Sequence, residues 1–243
     1  MVMILCSFSA SAQERRVENK PYIDLRPFHF GVLVGTHLLD MELFNTGPQS
    51  ITDDDGTTTE KLVSCDQDRW DAGFTVGVLG ELRLGNHLAF RLAPAMYFGT
   101  RHLLFHNHTD HLEDGSPITM QQEMKTAYIS LASDLIFSAK RFNNHRPYIM
   151  AGVNPMMNLS GKSEDIIRLK KFDCYLEVGI GCDFYLPFFK LRPELKFGYS
   201  LINAIIDSKH VNEIKDKNML LYTNSVKAND SRTKFVALTF YFE

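Results

Sequence analysis

Five residues in one polar stretch, His102, His106, His108, Asp110 and His111, are the side chains of this sequence best suited to hold a metal. Imidazoles with a carboxylate suit zinc or copper, and the His106-x-His108 spacing puts both rings on one side of an extended chain. A metal site also needs groups behind its ligands to fix the rings, and none is visible around this cluster. Polar filling of a loop crest accounts for it, so no metal and no cofactor is assigned. Asp53, Asp54 and Asp55 before Gly56 carry part of a calcium-loop pattern, without its later ligand spacing or closing Glu. His37 and the loop histidines would be the general bases of any enzyme built here. No Gly-x-Ser-x-Gly elbow or His-Glu-x-x-His pair accompanies them, so no catalytic residue is assigned and the chain reads as a non-enzyme.

A second group of charges is distributed rather than clustered: Glu81, Arg83, Arg91, Asp134, Glu177, Asp183, Arg192, Glu194 and Lys196. They recur in segments that alternate with period two, on the same face as Gly31, Gly35, Thr75, Gly77, Ala89, Ala93, Ser130, Ala132, Gly179, Gly181 and Gly198. A solvated exterior would be crowded with Lys and Glu. Small residues interrupted by opposite charges fit the packed interior of a narrow barrel, where each charge must find a partner. A structural Glu/Arg/Lys network inside the barrel is the expectation.

The elements that must position these charges are strands, at about 28–35, 70–84, 88–98, 127–138, 147–157, 174–186, 191–201 and 235–243. Their other face is apolar: Phe28, Phe30, Val32 and Val34 in the first, Leu191, Leu195, Phe197, Tyr199 and Leu201 in the seventh. The last strand presents Val236, Leu238, Phe240 and Phe242 and reaches the final residue, as the closing strand of an outer-membrane barrel does. Connections alternate between long (45–69, 101–125, 160–171, 202–231) and short (85–86, 140–146, 187–190). This is the pattern of long extracellular loops and short periplasmic turns, with both termini periplasmic. The fold expected is all-β: an eight-stranded antiparallel transmembrane outer-membrane β-barrel with a filled interior.

Several details refine that expectation. Pro94 and Pro193 fall inside strands and imply bulges or strand ends. Trp70, Tyr148, Tyr185, Phe188 and Phe189 lie near strand ends, where interface girdles sit. Apolar Ile205, Ile206, Met219, Leu220, Leu221 and Tyr222 suggest an ordered element within 202–231, with a short helix over 211–221.

Domain organisation is simple: a signal peptide over 1–12, with Ala10-Ser11-Ala12 as the cleavage pattern and no basic leader, a periplasmic segment over 13–27 and the barrel over 28–243. The 243 residues are 44% hydrophobic and 12% aromatic, enough for one domain, with no linker composition. A net charge of -3 and the lack of a basic stripe exclude a nucleic-acid partner. No apolar run is long enough for a spanning helix. Cys174 and Cys182 are about 26 Å apart on one strand and cannot pair; only Cys65 with Cys174 is conceivable.

At Arg26-Pro27-Phe28-His29-Phe30-Gly31, at Asn143-Asn144-His145-Arg146-Pro147-Tyr148 with Ala151-Gly152-Val153, and from Asp183 through Leu186-Pro187-Phe188-Phe189-Lys190-Leu191-Arg192-Pro193 to Phe197, the chain resembles the PorT/SprT family of outer-membrane barrels. The resemblance implies a component of the type IX secretion system, which exports proteins with a C-terminal sorting domain and supports gliding in some bacteria. It implies partners among the other components and in outer-membrane lipid. It transfers no catalytic residue and identifies no soluble substrate. A narrow filled barrel cannot pass folded cargo, so an accessory or assembly role follows. The alternatives are a surface barrel for adhesion or small-ligand binding through its long loops, and a soluble lipocalin-like binder.

Overall fold

The computed structural model describes residues 18–52, 56–111, 115–160, 166–205, 217–227 and 231–243. The expected signal peptide, the acidic run 53–55 and Ile206 lie outside them. In chain order the elements are β1 (Phe28–Glu42), β2 (Gln49–Thr52), β3 (Thr58–Lys61), β4 (Val63–Arg69), β5 (Ala72–Arg83), β6 (Leu88–His111), β7 (Pro117–Ser138), β8 (His145–Asn158), β9 (Phe172–Tyr185), β10 (Lys190–Ser200), α1 (Lys217–Thr223) and β11 (Arg232–Phe242).

Eight antiparallel strands form a ring in the order β6-β5-β1-β11-β10-β9-β8-β7, and β7 returns to β6. The terminal strand makes one seam of that ring, pairing with β1 from Val32↔Phe242 to Glu42↔Arg232. Period-two alternation drives the closure, because each strand has one face for the lumen and one for the exterior. The outward face is a continuous apolar belt: Phe30, Val32 and Val34 on β1, Ile129, Leu131, Leu135 and Phe137 on β7, Leu176, Val178 and Ile180 on β9, Val236 and Leu238 on β11. Phe240 and Phe242 share that face and are half-buried. From Ile129 to Phe137 the belt covers about 27 Å of strand, or about 20 Å of barrel height after tilt. Water would not tolerate so large an apolar surface; hydrocarbon does. Among the described residues no helix is long and apolar enough to cross a membrane.

The expected loops are largely strand. The expected loop 101–125 is, in its described residues, the distal half of the β6–β7 hairpin, whose register runs unbroken from Leu88↔Phe137 to His106↔Thr119. Beyond the belt its inward face carries apolar Leu103 and Phe105, while its outward face carries Glu123 and Lys125, so it folds as wall standing clear of hydrocarbon. The segment 45–69 likewise holds the β2–β3 hairpin and β4. β4 pairs with the distal part of β6, Val63↔Asn107 to Arg69↔His102, and β5 with the proximal part. The two lie end to end along one neighbour, with an irregularity at Gln67–Arg69, so the ring remains eight strands wide.

The prolines do not form bulges or strand ends. Pro94 and Pro193 keep continuous ladders on one side, opposite Leu131 and Phe240. On the other side the ladder skips pairs and resumes in the same register, Gly77↔Ala95 then Gly80↔Leu92, and Leu191↔Phe184 then Glu194↔Gly181. Each missing N–H thus costs one ladder locally, and the flanking pairs hold the register. Pro155 on β8 behaves the same way toward β7.

Each end of the barrel is covered. At the extended end Met41, Val63, Cys65, Leu103, Phe105, Met124, Ile167, Ile205, Leu221 and Tyr222 form a second apolar core, with Met219 packed against it. Of the helix expected over 211–221, residues 211–216 lie outside the described residues and 217–221 are helical in α1, whose Leu221 and Tyr222 belong to this cap. At the short-turn end residues 18–27 fold across the mouth: Asn19 bonds Asn144 and the Tyr185 carbonyl, and the Tyr185 hydroxyl donates to Asp24 at 2.7 Å. Tyr148 and Tyr185 therefore point into the barrel, contrary to a girdle role, because they share the inward phase of Met150 and Asp183. Trp70 and Phe188 do face outward.

Candidate functional site

The lumen is built in layers, one inward residue from each strand at each level. At the short-turn end β10 contributes Lys190 and Arg192. The Arg192 guanidinium donates to both Asp183 oxygens, at 2.5 and 3.3 Å, and to Glu81. It also lies 3.3 Å from Glu243, whose other oxygen is 2.5 Å from Lys190 Nζ. His29 Nδ1 is 3.6 Å from the same Glu243 carboxylate.

One layer further in, Arg91 donates to Asp134 at 2.9 and 3.2 Å and to Glu194 at 2.8 Å. Glu194 also accepts the Tyr148 and Tyr241 hydroxyls at 2.7 and 3.0 Å. Asp134 sits against Gly152, where a Cβ would lie 2.3 Å from its carboxylate, so only glycine fits there. The next level holds Lys196 between Glu177 at 3.5 Å and Glu194 at 3.8 Å, and Asn154 donates to Glu177 at 2.5 Å.

Buried charge is costly, and these layers offset the cost by multidentate pairing, with tyrosine hydroxyls donating to Glu194 and the Asn154 amide to Glu177. Arg91 and Arg192 also stack over the Tyr241 and Tyr148 rings at 4.4 and 5.1 Å. The arrangement fills the bore with side chains that hold one another. At the level of Arg91, Asp134 and Glu194 the three side chains pair with no exposed surface.

Eight of the nine charges singled out in the sequence meet here; Arg83 does not. It is the last residue of β5, and its guanidinium turns outward to cap the Gly85 carbonyl at 3.1 Å and Asn86 Oδ1 at 2.7 Å. Sequence reasoning missed Lys190, Glu243, Tyr148, Tyr241 and Asn154. Parity would have found the first two: Lys190 is two residues before Arg192, and Glu243 two after Tyr241.

The histidine cluster is dispersed along the wall of the extended end. His102 bonds Asp71 and lies 3.0 Å from Arg69 Nη2. His108 lies 2.8 Å from Ser64 Oγ, and Asp110 accepts from Lys61 at 2.8 Å and from Asn107 at 3.0 Å. His111 faces the Thr109 carbonyl at 3.2 Å, and the His106 and His108 ring centres are 6.3 Å apart. No group of three metal-ligating side chains converges among the described residues. The Lys61 ammonium holds the Asp110 carboxyl below the usual carboxylate range. Burial in the cap pushes the Cys65 thiol up to about 12. Cys65, Cys174 and Cys182 are free.

A family model described as outer membrane protein beta-barrel domain matches residues 11–205. No curated protein matches the chain. Among solved structures it is similar to OprG from Pseudomonas aeruginosa, at 12% identity over 88% of this chain and 93% of that one, TM-score 0.47. It is also similar to Neisserial surface protein A, at 13% identity over 89% and 98%, TM-score 0.43. Ail, the attachment invasion locus protein of Yersinia pestis, gives 12% identity over 89% and 99%, TM-score 0.37. With the family model spanning most of its length, and a closed antiparallel ring carrying an apolar belt, the chain belongs to the outer membrane protein beta-barrel domain family and resides in the cell outer membrane.

Proposed function

We propose that this barrel is a non-enzymatic, non-conducting accessory or assembly component of the type IX secretion system. It would act beside the pore that cargo crosses, with the short-turn end and both termini in the periplasm. The observation that carries the reading is the occluded bore: Arg91, Asp134 and Glu194 lock together across it with no exposed surface. A barrel so filled has no room for cargo, which leaves its outer wall and its two ends to work. The family resemblance from Asp183 to Phe197 supplies the secretion context, and partners would be other secretion components together with outer-membrane lipid.

A second reading is a surface barrel for adhesion or small-ligand binding. It is favoured by the ordered cap at the other end, where α1 and the β2–β3 hairpin meet: Gln49 donates to the Leu221 carbonyl at 3.2 Å. Deleting the gene and fractionating the cells separates the two. Periplasmic build-up of proteins with C-terminal sorting domains, relieved by restoring the gene, is the expected result. Normal export would overturn the secretion role and leave the surface barrel.

A further inference from the structure

Where the apolar belt gives way to polar wall, the outer surface carries a groove of about 760 Å³, within the range of about 300–1,000 Å³ usual for small-ligand sites. An interrupted ladder makes the hollow. β4 ends at Arg69 and β5 begins at Ala72, and β6 pairs with neither across Gly99 to Arg101. The β5 ladder stops at Phe74↔Phe98 and the β4 ladder starts at Arg69↔His102. On the other side β6 stays paired with β7, and small outward residues, Ala72 and Ala127, leave the space open.

The lining changes in steps away from hydrocarbon. Phe74 and Phe98, stacked with ring centres 4.9 Å apart, form an apolar floor beside Ala127. At the next outward position of the ladder Thr100 faces Lys125, and at the one after that His102 faces Glu123. Three of the polar groups satisfy one another: Arg69 Nε lies 3.2 Å from Asp71, Arg69 Nη2 lies 3.0 Å from His102, and His102 Nδ1 bonds Asp71. Lys125 and Glu123 are exposed and form no ion pair among the described residues. The free charges of the groove are therefore an ammonium nearer the belt and a carboxylate farther from it.

From hydrocarbon outward the order is aromatic floor, cation, anion, with Lys125 and Glu123 about 7 Å apart along β7. An amphiphile whose own order is acyl chain, phosphate, ammonium complements it. A carboxylate accepts hydrogen bonds only from a group that has them to give, so a primary ammonium suits Glu123 and a quaternary one does not. A purely anionic head would meet Glu123 with like charge. We propose that this groove binds a lipid with a phosphoethanolamine head, its acyl chain over Phe74 and Phe98, its phosphate at Lys125 and its ammonium at Glu123. The site requires residence in the outer membrane and is independent of the secretion role.

Trp70 is the only tryptophan of the chain, is exposed, and lies between the lining residues Arg69 and Asp71, so its fluorescence reports on the groove. The full chain is placed in nanodiscs of phosphatidylcholine that contain a small, increasing fraction of lipid with brominated acyl chains, which quench tryptophan on contact. Brominated phosphatidylethanolamine should quench Trp70 with an apparent affinity about two- to fivefold above that of brominated phosphatidylcholine or phosphatidylglycerol, the scale of one exposed charge pair. Glu123→Gln should erase that preference, whereas Lys125→Gln should weaken quenching by all three lipids. Both positions are exposed, so both variants should fold. Equal quenching by the three lipids in the wild type, or an undiminished preference in Glu123→Gln, would overturn the assignment. So would a phosphorylated glycolipid that displaces the brominated lipid at a lower fraction than unlabelled phosphatidylethanolamine does.

Discussion

The two halves of the lumen treat a buried cation in opposite ways. Toward the short-turn end, Arg91, Arg192, Lys190 and Lys196 each rest on carboxylates from neighbouring strands, and the Tyr148 and Tyr241 hydroxyls donate to one of those carboxylates, Glu194. Toward the extended end, the buried Arg101 has its guanidinium carbon 6.0 Å from the Tyr128 ring centre and no carboxylate or hydrogen-bond partner among the described residues. The first half sets six carboxylates, Glu81, Asp134, Glu177, Asp183, Glu194 and Glu243, against four cations, so every cation there has an acidic neighbour. The second leaves one buried cation without a carboxylate among the described residues. A narrow barrel can thus be full without being electrostatically complete.

Matched substitutions are the strongest way to break this contrast. Arg91→Leu strands Asp134 and takes from Glu194 its closest cation, and should cost about 3–5 kcal/mol, read from urea unfolding in lipid or detergent. Arg101→Leu strands no carboxylate, so it should change stability by no more than about 1 kcal/mol, or raise it. Equal losses in the two variants would erase the distinction. A smaller effect sharpens the paired half: Asn154→Ala removes the amide bond to Glu177 and should cost about 1.5–3 kcal/mol by the same unfolding measurement. The smallest is expected outside the belt. Because Lys61 holds the folded Asp110 carboxyl below its unfolded value, that pair stabilises the wall fully above about pH 4 and loses its contribution as pH falls through the folded value. The pair is partly exposed, so the loss should stay within about 1 kcal/mol, and Lys61→Met should remove that part of the pH dependence.

The extended end also shows where reading by period fails. Within the belt, apolar residues of β6 occupy the outward positions Leu88, Leu92 and Met96; beyond it they occupy the inward positions Leu103 and Phe105. The period stays two while the phase inverts, because hydrocarbon outside is replaced by water. An alternation that changes phase midway cancels itself, and the distal hairpin reads as a histidine-rich loop. Arg83 fails for a different reason: it has the parity of Glu81, but a strand's last side chain is free to turn and cap the following turn. Lys190 and Glu243 carry the right parity and were overlooked because they sit at strand ends.

The sequence by itself determined the eight-stranded ring, the apolar exterior, the closing strand and the class of residue inside, since all of these follow from which face of each strand can meet hydrocarbon. Only the tertiary structure decided which carboxylate meets which cation, because partners such as Arg91 and Glu194 are 103 residues apart and are brought together by strand register and curvature. It alone decided that Arg101 meets none. Pairing inside a barrel is a property of the layer, and a layer takes one residue from each strand around the ring, which no single stretch of sequence contains.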